Sequence, residues 1–498
     1  MSKLSENGSQ KQDVPSLTGA LLRGTLWTVA MRWVSRFLGI ISLAICARIL
    51  TPADYGLVNM AMVAVGFSNV LIEFGIDSAL IRNQNAGRRH YDTAWSLRIL
   101  QSSAIALLIA VSAPIAAHLF KDERVMPIML AVAAAGFFAG FQNIYVVNLR
   151  KHLDFGRDFL FTFIPRLVSF LISIICVVLF KSYWGLVIGI CAGELARLAS
   201  SYVLVRERAS WCLSEWRALT GFSVWYFLRG FAEYITNQFD RFLIGMLGGA
   251  QQVGIYGTAR EVASLPSTEL VSPIGRALMP TLSKLNDLPQ RQSAAITKAL
   301  AGTMLIAAPV SIGFATIAPE FVLLLFGSQW TEVVPLIPII CISAMTGGFR
   351  TTALNVLIVV GSIRIAAILA WIQTILSMLA FYPAYQIDGL RGITIAYALI
   401  GIFMMGVQGV HMHVLRLLRG PTLWMAISRP VLASASMYWL IVTLAPILPQ
   451  SMIASMACKI AIGGISYSIL IALMWLLMGR PDSSERQLFE MMMKRLGR

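Results

Sequence analysis

One pattern repeats along most of the chain: an apolar run of spanning length, a short polar break, then another run. About fourteen such runs lie near 25–47, 56–80, 92–117, 126–148, 159–180, 184–205, 221–247, 254–282, 296–317, 333–357, 364–385, 391–415, 424–445 and 453–478. Roughly 20 apolar residues in a helix cover the ~30 Å of bilayer hydrocarbon. Lipid offers no hydrogen-bond partner, so each run must satisfy its own backbone as a helix. The expected fold is therefore an all-α polytopic membrane protein. Of the 498 residues, 13% are charged, about half the fraction usual in soluble domains. That excludes a soluble enzyme.

The net charge of +16 would point to nucleic acid in a soluble chain. In a membrane chain, basic residues crowd the cytoplasmic loops instead, so no nucleic-acid partner is expected. With the N-terminus in the cytoplasm, the inner loops hold Arg82, Arg88, Arg89, Arg150, Lys151, Arg157, Arg206, Arg208, Arg217, Lys284, Arg291, Lys298, Arg364, Arg416 and Arg419. The outer loops hold Arg48, Lys121, Arg124, Lys181 and Lys459, with Arg391 at a helix edge. This alternation requires an even number of spans and places both termini inside. The polar stretch 1–24 lacks a signal-peptide pattern, so the first helix acts as the insertion signal. The six cysteines are scattered without metal or disulfide spacing, and His411 and His413 face away from each other on a helix. No metal and no cofactor are expected. Nucleotide-binding loops and Ser/His/Asp arrangements are absent, so an ATPase or other enzyme is not supported.

Sliding the chain by about 200 residues aligns the first two helices with the seventh and eighth. Trp27 meets Trp225, Gly56 meets Gly254, Ala61 meets Ala259, and Ile76, Ala79 and Leu80 meet Ile274, Ala277 and Leu278. This implies two six-helix halves, 25–205 and 221–415, in parallel orientation. A cytoplasmic linker (206–220) joins them, two further helices (424–478) follow, and a basic tail (479–498) ends the chain.

Charges inside spanning helices are costly and usually face a wet cavity or a partner. Arg32 and Arg36 lie one turn apart on the first helix, and Glu73 and Asp77 one turn apart on the second, with a short loop carrying Pro52, Asp54, Tyr55 and Gly56 expected between the two. In the seventh, Arg229, Glu233, Asn237 and Arg241 recur every four residues as a stripe, with Asp240 beside it. The first and seventh helices then read as facing walls of one cavity. Each site has a plainer reading. Arg32 and Arg36 can snorkel to the interface. The stripe can neutralise itself, Asp240–Arg241 can be a structural cap, and Asp77 can sit at the interface. Glu194 and Arg197 read as a mutual pair. Arg166 and Arg350 are isolated intramembrane cations and so cavity candidates.

The runs RILTPADYGLVNMA, IEFGIDSALIR, DRFLIGMLGGAQQVGIYGTAREVASLP and PIGRALMPTLSKL resemble the polysaccharide-unit flippases, the Wzx-like branch of the multidrug/oligosaccharidyl-lipid/polysaccharide exporter superfamily. The resemblance implies two six-helix bundles in a V plus two C-terminal helices. It implies a substrate, an undecaprenyl-pyrophosphate-linked oligosaccharide, moved across the bacterial inner membrane. A polysaccharide polymerase and a chain-length regulator are implied partners. Related lipid II flippases use arginines near the start of the first helix and in the eighth, which Arg32, Arg36 and Arg260 loosely match. Pyrophosphate needs cationic partners, and Arg contacts phosphate oxygens in pairs. Trp225, Tyr226, Tyr234, Asn237, Gln142, Asn143 and Tyr145 are available to sugars. The alternatives are a lipid II flippase, differing mainly in headgroup, and a cation-coupled multidrug antiporter. The antiporter would need an acidic cavity, whereas the first helix here is purely basic. A glycosyltransferase or polymerase would need a large catalytic loop, and the longest here is about 20 residues.

Overall fold

In the computed structural model, residues 17–72, 76–83, 85–152, 154–216, 224–283, 289–418 and 420–478 are described. Side chains within some of these helices, Arg32 among them, lie outside the described ones. The Glu73 position, the end of the linker and the tail from 479 also lie outside.

The described residues form helices joined by short links, with no strand among them. In order, the helices are α1 (Leu17–Ile49), α2 (Pro52–Ile72), the short α3 (Ile76–Arg82), α4 (Arg88–Phe120), α5 (Val125–Ala139), α6 (Val147–Lys151), α7 (Phe155–Phe180) and α8 (Trp184–Leu204). The segment Val224–Ser283 breaks at Gly249, where φ is +72°, into α9 (224–248) and α10 (250–283). After α11 (Pro289–Leu325) and α12 (Ile337–Val359), the segment Ile363–Val414 breaks at Asp388–Gly389 into α13 (363–387) and α14 (390–414). α15 (Gly420–Leu444) and α16 (Met452–Leu477) follow. Among the described residues, eight segments are long and apolar enough to cross a membrane, or nine with the bent pair around α5–α6. Splitting the 52-residue segment at Gly389 and adding α1, α2, α9 and α10 gives fourteen spans.

Two local readings are corrected. The stretch Pro52–Gly56 is helix, not loop. Thr51 caps α2: its Oγ1 donates to Asp54 Oδ2 at 2.7 Å, and Asp54 N donates back to Thr51 Oγ1 at 3.3 Å. Pro52 sits at the first helical position, where its missing N–H costs nothing. The fourth span is not straight, because α5 and the segment from Ile144 to Lys151 bend by 73°. Asn143 fills the bend. Its Nδ2 donates to Val205 O (3.3 Å) and Glu207 O (2.7 Å), and its Oδ1 accepts from Tyr145 N. The buried Asn143 is thus a cap, and Tyr145 stacks on Tyr91 at 4.6 Å.

The helices pack as two six-span bundles, with α15 and α16 laid against α11. Between the bundles, α2 packs along α9 and α10, and α1 touches α11. These contacts gather at the outer end, as loop charge assigns it. There α2 and α10 cross at Gly56 and Gly254. A Cβ on Gly56 would strike the Ala250 carbonyl, and one on Gly254 the Pro52 carbonyl. Both contacts use the repeat offset, since 56 matches 254 and 52 matches 250. A pseudo-two-fold axis therefore runs through the crossing. Beside it, the ends of α1 and α11 clasp each other. Arg48 donates to Leu324 O (2.5 Å) and Leu325 O (3.2 Å), while Trp330 Nε1 donates to Ala47 O (2.8 Å). The last carbonyls of α11 are thereby satisfied by Arg48, and one at the end of α1 by Trp330, in the 3₁₀ segment Ser328–Leu336 that follows α11. Lys459 is not a loop residue but lies within α16. It is held by Glu320 Oε1 at 2.5 Å and Thr316 O at 3.0 Å, which docks α16 on α11.

Candidate functional site

The second bundle encloses a cavity of about 420 Å³. α9 supplies Arg229, Glu233, Thr236 and Asn237, and α10 supplies Arg260, Ser264 and Ser267. α12 contributes Ser343, Gly347, Arg350 and Thr351, α13 Gln373 and α14 Tyr397. Five spans thus wall a polar chamber inside one bundle.

Two ion pairs shape it. Arg229 donates through Nε (3.0 Å) and Nη2 (2.7 Å) to Glu233 Oε1. The four-residue spacing puts both on one face. Deeper, Asp240 is wholly buried. It accepts from Tyr256 Oη at 2.8 Å and pairs with Arg260. Arg260 also donates to Asn237 O (2.9 Å), Asn237 Oδ1 (3.1 Å) and Tyr397 Oη (3.0 Å). Asp240 is therefore the centre of a network that ties α9, α10 and α14 together, not a cap at a helix end. A buried carboxylate needs such compensation.

Arg350 is different. Among the described residues no carboxylate lies within ion-pair distance of it, and its Nε is buried without a hydrogen-bond partner. Its neighbour is Gln373. With the amide oxygen turned toward the guanidinium, Gln373 accepts from Nη1 and Nη2 at 3.1 Å each. Ser343 Oγ, two turns earlier on α12, is likewise buried and unpaired.

The cavity thus gathers Arg229, Glu233, Asn237, Arg260 and Arg350 from the residues singled out in the sequence. It does not gather Arg241. Residues four apart advance about 40° around a helix, so the stripe has turned roughly 120° by Arg241. Asp240, three turns from Arg229, returns to the cavity face and takes its place. The neighbouring face of α9 meets the other bundle, where Tyr234 donates to Val63 O of α2. Arg166 is exposed on α7, directly after the buried Pro165, and one residue turns it about 100° outward. Arg36 is half-buried on α1 and does not line this cavity. The Arg32 and Tyr226 side chains lie outside the described ones. Asp77 pairs with Arg98 of α4, and Glu194 with Arg197 at 3.6 Å. Trp225 lies 5.2 Å from the Arg364 guanidinium. Gln373, Ser343 and Tyr397 were not legible as site residues: each is a single polar group in an apolar run, with no partner nearby in sequence. Among the described residues, no three His, Cys, Asp or Glu gather as metal ligands.

Comparison with known proteins matches this architecture. Residues 45–335 fit the profile of the family described as polysaccharide biosynthesis protein. The succinoglycan biosynthesis transport protein ExoT of Rhizobium meliloti is 26% identical over 333 residues, which is 64% of this chain and 65% of that one. The lipopolysaccharide biosynthesis protein WzxC of Escherichia coli is 20% identical over 395 residues, 78% of this chain and 80% of that one. The lipid II flippase MurJ, in an inward closed conformation, superposes with a TM-score of 0.76 at 13% identity, covering 91% of this chain and 99% of its own. At that identity the likeness concerns the fold alone. The family profile spans more than half of the sequence, and the chain belongs to the polysaccharide biosynthesis protein family.

Proposed function

We propose that this protein is a flippase that carries undecaprenyl-pyrophosphate-linked oligosaccharide repeat units across the bacterial inner membrane for surface polysaccharide synthesis. The observation that carries the reading is the polar, net-cationic chamber buried in a membrane-spanning bundle. A lipid-linked headgroup is anionic and rich in hydroxyls. It needs such a chamber to leave water, while its isoprenoid tail stays in lipid. The relatives named for succinoglycan and lipopolysaccharide biosynthesis support the same class of cargo. A drug–cation antiporter would need an acidic cavity, and both acids here are already matched by arginines.

The movement is alternating access by rocking of two related bundles. The halves are held together at the outer end by the Gly56–Gly254 crossing and the α1–α11 clasp. A headgroup enters from the cytoplasmic side and leaves once those contacts part. Arg32 and Arg36 receive the pyrophosphate, and the second-bundle cavity the sugars. Both termini lie in the cytoplasm, following the loop charge. The protein performs no bond chemistry. A polymerase and a chain-length regulator act on what it delivers.

The test is made in a strain lacking the gene. Lipid-linked repeat units should accumulate on the cytoplasmic leaflet and surface polysaccharide should disappear, with plasmid-borne wild type restoring both. Unchanged polysaccharide and unchanged lipid intermediates would overturn the assignment.

A further inference from the structure

Charge inside the second-bundle cavity does not sum to what a pyrophosphate requires. Arg229 is matched by Glu233, and Arg260 by Asp240. One cation remains, Arg350, with no carboxylate within ion-pair distance among the described residues. Its planar fork is occupied by a neutral stand-in: the Gln373 amide oxygen sits 3.1 Å from both terminal nitrogens. One amide oxygen thus bridges the two terminal nitrogens, the same edge of a guanidinium that pairs with both oxygens of a carboxylate. A pyrophosphate diester carries two negative charges and would leave one unmatched in a desolvated site, at high cost. A single carboxylate leaves none.

The wall beside Arg350 is shaped for a sugar. Ser343, Gly347 and Arg350 follow each other along one face of α12. The space in front of Gly347 is open, and Ser343 Oγ is buried without a partner. The chamber therefore offers one cation, one spare hydroxyl and room beside a glycine. We infer that this cavity receives a carboxylate-bearing sugar of the repeat unit, with Arg350 taking the carboxylate in place of Gln373. The cavity then selects acidic over neutral repeat units, and the pyrophosphate is bound elsewhere. This rests on the flippase reading and specifies its cargo.

Purified full-length protein in lipid nanodiscs tests it by calorimetry. Three probes are used: a glucuronosyl-glucose disaccharide, its neutral glucosyl-glucose counterpart, and inorganic pyrophosphate. Wild type should bind the acidic disaccharide at least about tenfold tighter than the neutral one. Arg350→Gln should remove that preference. Gln373→Glu should remove it too, by giving Arg350 a carboxylate of its own while keeping the site's shape. Gly347→Val, which fills the open space without altering charge, should weaken both sugars. Equal binding of the two disaccharides by wild type, or an Arg350-dependent site for pyrophosphate that excludes the sugars, would overturn the inference. Mass analysis of the lipid-linked unit trapped in the deletion strain separates the two proposals. A unit lacking any carboxylate, whether uronic acid or acidic substituent, removes this inference and leaves the flippase standing. Absence of any trapped unit removes the flippase reading itself.

Discussion

The crossing of α2 over α10 makes a quantitative prediction about which end of the molecule is closed. Gly56→Ala and Gly254→Ala each add one methyl. On Gly56 it would lie 3.0 Å from Ala250 Cα and closer still to the Ala250 carbonyl; on Gly254 it would lie 3.1 Å from Gly56 N and closer still to the Pro52 carbonyl. Real Cβ atoms do not approach backbone below 3.0 Å, so the helices must separate by about 1 Å. No flexible side chain is available to give way. Overpacking of this kind costs about 1–3 kcal/mol. The cost falls only on the conformation in which the outer ends touch. It should therefore lower the ratio of closed to open outer ends by roughly 5- to 150-fold. Spin labels at Thr51 and Gln251, both exposed at the outer end, read that ratio by pulsed dipolar spectroscopy in a cysteine-free background. Wild type should give mainly short distances, and each alanine variant should shift weight to long ones. The two variants should behave alike, because the pseudo-two-fold axis makes their clashes equivalent. Gly136→Ala, which meets open space, should change nothing. Folded variants with a wild-type distance distribution would refute the claim that this crossing holds the outer end shut.

Three further outcomes are expected. Asp240→Ala leaves Arg260 buried without its carboxylate and should cost about 3–5 kcal/mol of stability, read as a fall in thermal midpoint in detergent; Asp240→Leu with Arg260→Met should recover most of it, and a smaller loss in the single variant would remove Asp240 as the centre of the network. Arg48→Ala and Trp330→Phe each delete donors of the α1–α11 clasp, at about 1 kcal/mol each. Both should raise outer-end opening in the spin-label assay, and no change in either variant would mean the clasp is incidental. Cys212, between α8 and α9, has its thiol held below the usual range by hydrogen bonding to Ser214. A lowered pKa enlarges the reactive thiolate fraction at neutral pH. An impermeant maleimide should therefore label it faster than the five cysteines within helices, and only from the cytoplasmic side. Labelling of intact spheroplasts would reverse the topology.

Hydropathy made the fold legible because a spanning helix must be apolar over most of its length, whatever it packs against. The repeat was legible through Gly56 and Gly254, which are the points where the halves touch. What escaped was local. A prolyl turn and a prolyl helix start look alike until a cap such as Thr51–Asp54 closes, so the start of α2 was misread. The 73° bend left no breaker stronger than Gly140 and a polar Asn143. Around the cavity, spacing paired Arg229 with Glu233, since both lie on one helix. It could not pair Asp240 with Arg260, 20 residues away across a kink. Counting by fours also placed Arg241 on a face that the helix had already turned away.

The two halves share a scaffold but not a chemistry. Carrying the 198-residue offset of Gly56 and Gly254 back from the cavity, Asp240 corresponds to Ser42, Tyr256 to Val58 and Arg260 to Met62. Glu233 corresponds to Ser35 and Arg229 to Met31. The first bundle thus keeps the crossing and lacks the ion network. Its own cations, Arg32 and Arg36, match Gly230 and Tyr234 in the second bundle, and Tyr234 faces α2 rather than the cavity. Symmetry is retained where the bundles must rock against each other, because a pivot on a two-fold axis needs the same close approach on both sides. In the proposed function it is abandoned where the cargo is held, because a lipid-linked saccharide has a pyrophosphate at one end and sugars at the other. A symmetric pair of identical sites would bind neither end well. The division of labour in the proposed function follows from that mismatch: the arginines of α1 in the first bundle, and a nearly neutralised polar chamber with one spare cation in the second.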